Sequence, residues 1–186
     1  NHAPAPFAVR ERLALSAAQS SQAVEQFRER FPGTEIVLLS TCNRVELYAV
    51  RAVHGRPSGD EIASFLPSFH GLPSTDFAPH WYQKSEKDVV QHLFTVASSL
   101  DSMVLGETQI IGQVRDAYEL ACRLGSAGTQ LHPLFQRAVA VGKQVMHQTA
   151  LGQGRLSIAS TAVDYARSIF DRLSDKTILS IGAGKM

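Results

Sequence analysis

The pairing in this chain best able to do chemistry is a cysteine followed two residues later by an arginine, in Ser40-Thr41-Cys42-Asn43-Arg44-Val45-Glu46-Leu47-Tyr48. The Cys42 thiol would sit at the end of a rigid element, and nearby positive charge favours the nucleophilic thiolate. Arg44 has a second use, since a guanidinium grips a carboxylate ligand through two parallel hydrogen bonds. A third is a salt bridge to Glu46 on the strand that follows. Against the reactive reading stands the commoner fate of a free cysteine, a small buried hydrophobe. Thr41 and Asn43 flank the thiol with hydrogen-bonding groups, although both residue types are frequent in plain turns.

A second pattern lies at the other end. Thr177-Ile178-Leu179-Ser180-Ile181 reads as a buried parallel strand running into Gly182-Ala183-Gly184-Lys185-Met186. A strand entering Gly-x-Gly opens a dinucleotide-binding fold, where small residues let the backbone approach a pyrophosphate. The third glycine and the acidic ribose-binding residue of the full fingerprint fall past Met186. With Asn1 at the front, the sequence is expected to be a piece of a longer protein.

The elements that must position Cys42 follow from periodicity. Asn1 to Arg10 carries Pro4 and Pro6 and is expected to be extended, the tail of a first strand. Ser16 caps a helix from about Ala17 to Arg30, ended by Pro32-Gly33. Glu35 to Leu39 and Val45 to Val50 are strands joined by the Cys42 turn. In the second, Val45, Leu47 and Ala49 face one way while Glu46, Tyr48 and Val50 face the other. His54 to Gly59 is a loop, and Asp60 begins a short helix using Ile62, Phe65, Leu66 and Phe69. The loop His70 to Pro79 leads to an expected strand at His80 to Gln83.

From Ser85 the pattern turns helical. Ser85 with Asp88 is a capping-box-like start to a helix with Val89, Val90, Leu93, Phe94, Val96 and Ala97 inward. Leu100 to Gly106 breaks it. Ile110, Val114, Ala117, Ala121 and Leu124 mark the next helix, ended by Gly125, and Leu131 to Gln148 forms a third, with Leu134, Ala138, Val141 and Val145 on one face. Three helices with short connections pack side by side. Gly152-Gln153-Gly154 is a joint, and Ser157 caps a further helix with Val163, Ala166, Ile169, Phe170 and Leu173 inward. The expected fold class is α/β (α+β): a small strand-helix sandwich carrying the cysteine, a helical bundle subdomain, and a linking helix into a truncated Rossmann-type domain. The boundaries are 1–150 for the domain that carries Cys42, with 1–83 the α/β part and 85–148 the helical part. A connecting helix spans 151–174, and 175–186 is the first strand and glycine turn of the cofactor domain.

Composition narrows the class. The 186 residues have a net charge of +1, which gives no electrostatic case for nucleic-acid binding from composition alone. No apolar run approaches the ~20 residues that cross a bilayer and no signal-peptide pattern opens the chain, so a cytoplasmic or equivalent reducing compartment is expected. Cys42 and Cys122 are too few and too far apart for a disulfide framework or a zinc cluster.

Two stretches carry a family resemblance. Ser40 to Glu46 resembles the catalytic-cysteine motif of glutamyl-tRNA reductase. His92-Leu93-Phe94 through Leu100-Asp101-Ser102-Met103-Val104-Leu105-Gly106-Glu107-Thr108-Gln109-Ile110-Ile111-Gly112-Gln113-Val114 resembles that family's second signature. They occur in the family's order and separation, and the resemblance covers essentially the whole chain. One departure stands at the start, where Asn1-His2-Ala3-Pro4-Ala5-Pro6 has proline at the position members usually give to Thr.

The resemblance implies reduction of the glutamyl ester of tRNA to glutamate-1-semialdehyde, the first committed step of tetrapyrrole biosynthesis. Cys42 is then the nucleophile, forming a thioester that is easier to reduce than an ester. His92 assists it by polarising the carbonyl or handling the proton. Arg44 is expected to clamp the γ-carboxylate, with Thr41 and Asn43 beside the substrate. Glu107 receives the ammonium, and Ser102, Thr108, Gln109 and Gln113 wall the pocket; helix capping and solvation explain that polar cluster as well. NADPH is the implied cofactor, held at Gly182, Ala183, Gly184, Lys185 and Met186, and no metal is implied. Implied partners are glutamyl-tRNA, a second copy through a C-terminal dimerisation domain, and the next pathway enzyme as recipient of the semialdehyde. Most of the cofactor domain lies outside the sequence, so this chain is expected to form the acyl-enzyme without reducing it. The rival readings are a non-catalytic tRNA-binding module and a thiol esterase acting on a small ester.

Overall fold

The computed structural model describes residues 5–53, 55–102, 105–152, 158–170, 172 and 176–177. At its centre is an antiparallel hairpin of β1 (Glu35–Ser40) and β2 (Val45–Val50), paired from Glu35↔Val50 to Ser40↔Val45. Side chains alternate across a strand, so a hairpin buried on both sides must be apolar on both. Ile36 and Leu38 enter one core with Val24 and Phe27 of α2 (Ala17–Arg30) and Phe65 and Leu66 of α3 (Gly59–Phe69). Val37, Leu39 and Tyr48 enter the other, formed with α4 (Lys87–Ala97), α5 (Gln109–Arg123) and α6 (Leu131–Gln148) through Leu93, Val96, Val114, Leu131, Phe135 and Ala138. The result is three layers, helices on both faces of a two-stranded sheet.

Local rules explain most element ends. Ser16 and Gln19 form a reciprocal capping box at the start of α2, and Ser58 and Glu61 do the same for α3. Glu35, at the first position of β1, accepts from the backbone N–H groups of Gln130 and Leu131 and so caps α6 from across the fold. At the outer edge of β1, Ile36 N–H donates to the Ser126 carbonyl and the Ser126 hydroxyl donates back to the Ile36 carbonyl.

Four expectations are corrected. Residues Phe7–Leu13 form a short helix, α1, instead of an extended lead-in; Pro6 stands at its N-cap, ahead of the turn that a proline would break. His80 to Gln83 is not a strand: Ala78–His80 is a 3-10 turn and 81–83 run on without sheet pairing. At the start of α4 the Ser85 side chain forms no cap; its backbone carbonyl accepts from Asp88 N–H, and Glu86 at the N-cap has φ +51°. On α7 (Ile158–Ile169) and just beyond it, Val163, Ile169 and Phe170 are exposed. The joint residues Gln153 and Gly154, Ser157, Leu173 and the strand with its glycine turn at 178–186 lie outside the described residues.

Candidate active site

Four residues, Thr41 to Arg44, connect the two strands. The Thr41 hydroxyl oxygen accepts from the N–H groups of Asn43 at 3.2 Å and Arg44 at 3.1 Å, and Thr41 N–H donates to the Arg44 carbonyl at 2.8 Å. From α1, Arg10 donates to the Asn43 carbonyl at 3.3 Å, while Leu15 N–H donates to Ser40 Oγ at 3.0 Å. The turn is therefore tied down on several sides, with the free thiol of Cys42 exposed at its tip. Thr41, expected beside the substrate, spends its hydroxyl on shaping the turn.

Arg44 is only 1% exposed. Its Nη1 pairs with Glu46 Oε1 at 3.0 Å and with Asp101 Oδ2 at 3.1 Å, and Nη2 donates to the Asp101 carbonyl. The guanidinium thus meets Glu46 and Asp101 within the protein, and the salt bridge to Glu46 weighed from sequence is present. Burial alone would lower the Arg44 pKa, but Glu46 and Asp101 more than reverse that and raise it.

Glu46 faces the same side of β2 as Tyr48, towards α4. Its Oε1 accepts from Arg44 and from the Tyr82 hydroxyl at 2.5 Å, and it meets His92 Nε2 at 3.1 Å; Oε2 accepts from the Tyr48 hydroxyl at 2.6 Å. Burial pushes this carboxyl up, yet the His92 hydrogen bond, the Arg44 charge and the Tyr48 hydroxyl hold it down to about 2. An ionised carboxylate only accepts, so the network assigns a proton to His92 Nε2 and leaves Nδ1 as the basic atom of the neutral ring. The ring is 11% exposed.

His92 and Tyr82 also share an open trough with Lys84, Asp88, Gln91, Thr95, Leu100 and Asp101. None of Ser102, Glu107, Thr108, Gln109 and Gln113 lines it. Ser102 follows Asp101 and accepts from Ser99 Oγ at 3.2 Å, Glu107 is buried, Gln113 is half-buried, and Thr108 and Gln109 are exposed at the start of α5, where Thr108 makes no side-chain cap. The structure thus joins the Cys42 turn to His92 through Arg44 and Glu46, and of the second polar set Ser102 adjoins this network through its neighbour Asp101. Gly182 to Met186 lie outside the described residues. Sequence reasoning missed Asp101, Tyr48 and Tyr82 and treated Glu46 only as a salt-bridge partner. The available signal was a carboxylate placed on the inward face of an apolar strand, which must be surrounded by donors.

Comparison with known proteins identifies the family and the fold. Residues 1–149 match the family described as Glutamyl-tRNAGlu reductase, N-terminal domain. Among solved structures, the glutamyl-tRNA reductase from Methanopyrus kandleri is similar, at 36% identity and a TM-score of 0.70, over 99% of this chain and 42% of that one. The chain therefore spans less than half of that relative. On the family match and the shared fold, this chain belongs to the glutamyl-tRNA reductase N-terminal domain family.

Proposed function

We propose that this chain carries the acyl-transfer half of the glutamyl-tRNA reductase reaction, with Cys42 as nucleophile. The observation that supports it is the run of contacts from the Cys42 turn through Arg44 and Glu46 to His92, which couples an exposed thiol's turn to an oriented imidazole. In the step proposed, the Cys42 sulfur attacks the ester carbonyl of glutamyl-tRNA. A C–S bond forms, the C–O bond to the terminal ribose breaks, and the thiol proton ends on the departing ribose oxygen, passed by His92. Arg44 holds Glu46 and Asp101, and the Asp101-Ser102 turn brings the second signature against that network. The glutamyl group lies along this turn in our reading. NADPH, the family's cofactor, would supply the hydride that turns the thioester into glutamate-1-semialdehyde for tetrapyrrole synthesis.

The experiment is to follow release of free glutamate from glutamyl-tRNA, because a thioester without hydride falls to water. The unaltered chain should release glutamate faster than the spontaneous rate and Cys42→Ala should not. Release should also require the tRNA: equal rates on a small glutamyl ester would favour the thiol esterase, and no difference between the chain and Cys42→Ala would overturn the proposal.

A further inference from the structure

His92 is held by α4 on one side and by Glu46 of β2 on another, two elements from separate parts of the sequence. A third contact comes from the segment before α4. The Tyr82 hydroxyl lies 2.5 Å from Glu46 Oε1 and 3.4 Å from His92 Nε2, so it stands within reach of both partners of the histidine–carboxylate pair. The Tyr82 ring meets the imidazole edge-on, with centroids 5.7 Å apart and an interplanar angle of 70°. A hydroxyl that donates to the carboxylate keeps a lone pair turned towards Nε2–H, so a ring flip, which would put the Cε1 carbon in place of Nε2, would lose both acceptors.

We propose that Tyr82 is a positioning residue that fixes the His92 ring with Nε2–H on Glu46 and Nδ1 free as the base. This rests on the reading of His92 given above and adds to it the device that selects which nitrogen is basic. Burial and the neighbouring Glu46 charge raise the Tyr82 pKa, so the hydroxyl stays a donor throughout the working pH range. The charged and titratable groups around the ring are Arg44, Glu46 and Tyr48 from β2 and its turn, Tyr82 and Lys84 from the preceding segment, Asp88 and Asp101 along the trough, and Arg10 and His80 on the far side.

The test is Tyr82→Phe in this chain, which keeps the ring and removes only the oxygen. Two readouts are needed: nitrogen-15 NMR of the His92 side chain, and the single-turnover rate of Cys42 acylation by glutamyl-tRNA as a function of pH. The unaltered chain should show the Nε2–H tautomer alone. Tyr82→Phe should show mixed tautomers and acylation slower by about tenfold. A Tyr82→Phe protein with the same tautomer and the same acylation rate would overturn the proposal, whatever its melting temperature. If the unaltered chain forms no acyl-enzyme, the catalytic reading fails, and the NMR comparison still decides whether Tyr82 sets the ring.

Discussion

At the scale of single residues, Glu46 shows how a charge can persist inside a small protein. Both oxygens are met by donors, from Arg44, Tyr82 and His92 on one and Tyr48 on the other, and these outweigh the cost of burial. A carboxyl held at about 2 when folded, against about 4.5 when unfolded, stabilises the fold at every pH above the unfolded value and loses that stabilisation as pH falls through the interval. The contribution is on the order of 3 kcal/mol. Denaturant titrations of the unaltered chain and Glu46→Gln should therefore differ most above pH 5 and converge towards pH 2; a gap independent of pH would refute the charged assignment. Arg44→Leu removes the cation and leaves Glu46 and Asp101 facing each other, so it should cost about 3–5 kcal/mol in the same measurement. That network was only partly legible in the sequence. Cys42, Arg44 and His92 are visible by type and motif, whereas Tyr82 and Asp101 join through contacts 36 and 57 residues distant from their partners. No local pattern records such distances.

At the scale of elements, the ends of α4 carry most of the geometry. The helix closes with Leu100 N–H bonded to the Thr95 carbonyl and Ser99 N–H to the Val96 carbonyl, a Schellman arrangement with Ser99 in the left-handed region at φ +59°. A residue bearing a Cβ is strained there, so Ser99→Gly should stabilise the chain by up to about 1 kcal/mol, less what the bond to Ser102 contributes. Unchanged or lower stability would mean that the serine pair outweighs the strain. Nearby, α6 crosses the end of α4 so closely that a Cβ on Gly142 would come within 2.4 Å of the Ala97 carbonyl oxygen. Gly142→Ala should thus lose about 1–3 kcal/mol in spite of alanine's better helix propensity, and should disturb the Asp101 turn that follows α4. The helices themselves were readable because their apolar stripes recur at helical spacing. The misread elements were the ones set by backbone geometry: Pro6 stands before α1 and starts a helix instead of preventing one, and His80 to Gln83 has strand-like residues without a paired neighbour.

At the scale of the whole molecule, the site lies where separate parts of the sequence meet. The hairpin supplies Cys42, Arg44 and Glu46, the segment before α4 supplies Tyr82, and α4 with its following turn supplies His92 and Asp101. The two cores on either face of the sheet hold these parts in register, which is why a sheet of only two strands suffices to place them. Its alternating faces were evident from Val45 to Val50, while the second core on the opposite face and the trough beside His92 emerged only from the structure. The central claim is that Cys42 receives the glutamyl group. The most direct measurement is to mix the chain with tRNA carrying labelled glutamate, quench in acid, and locate the label by intact mass and peptide mapping. The account predicts one glutamyl group on the peptide containing Cys42, absent in Cys42→Ala and formed more slowly in His92→Asn. A folded chain that binds glutamyl-tRNA yet shows no adduct on Cys42 would contradict it and leave a tRNA-binding module as the reading.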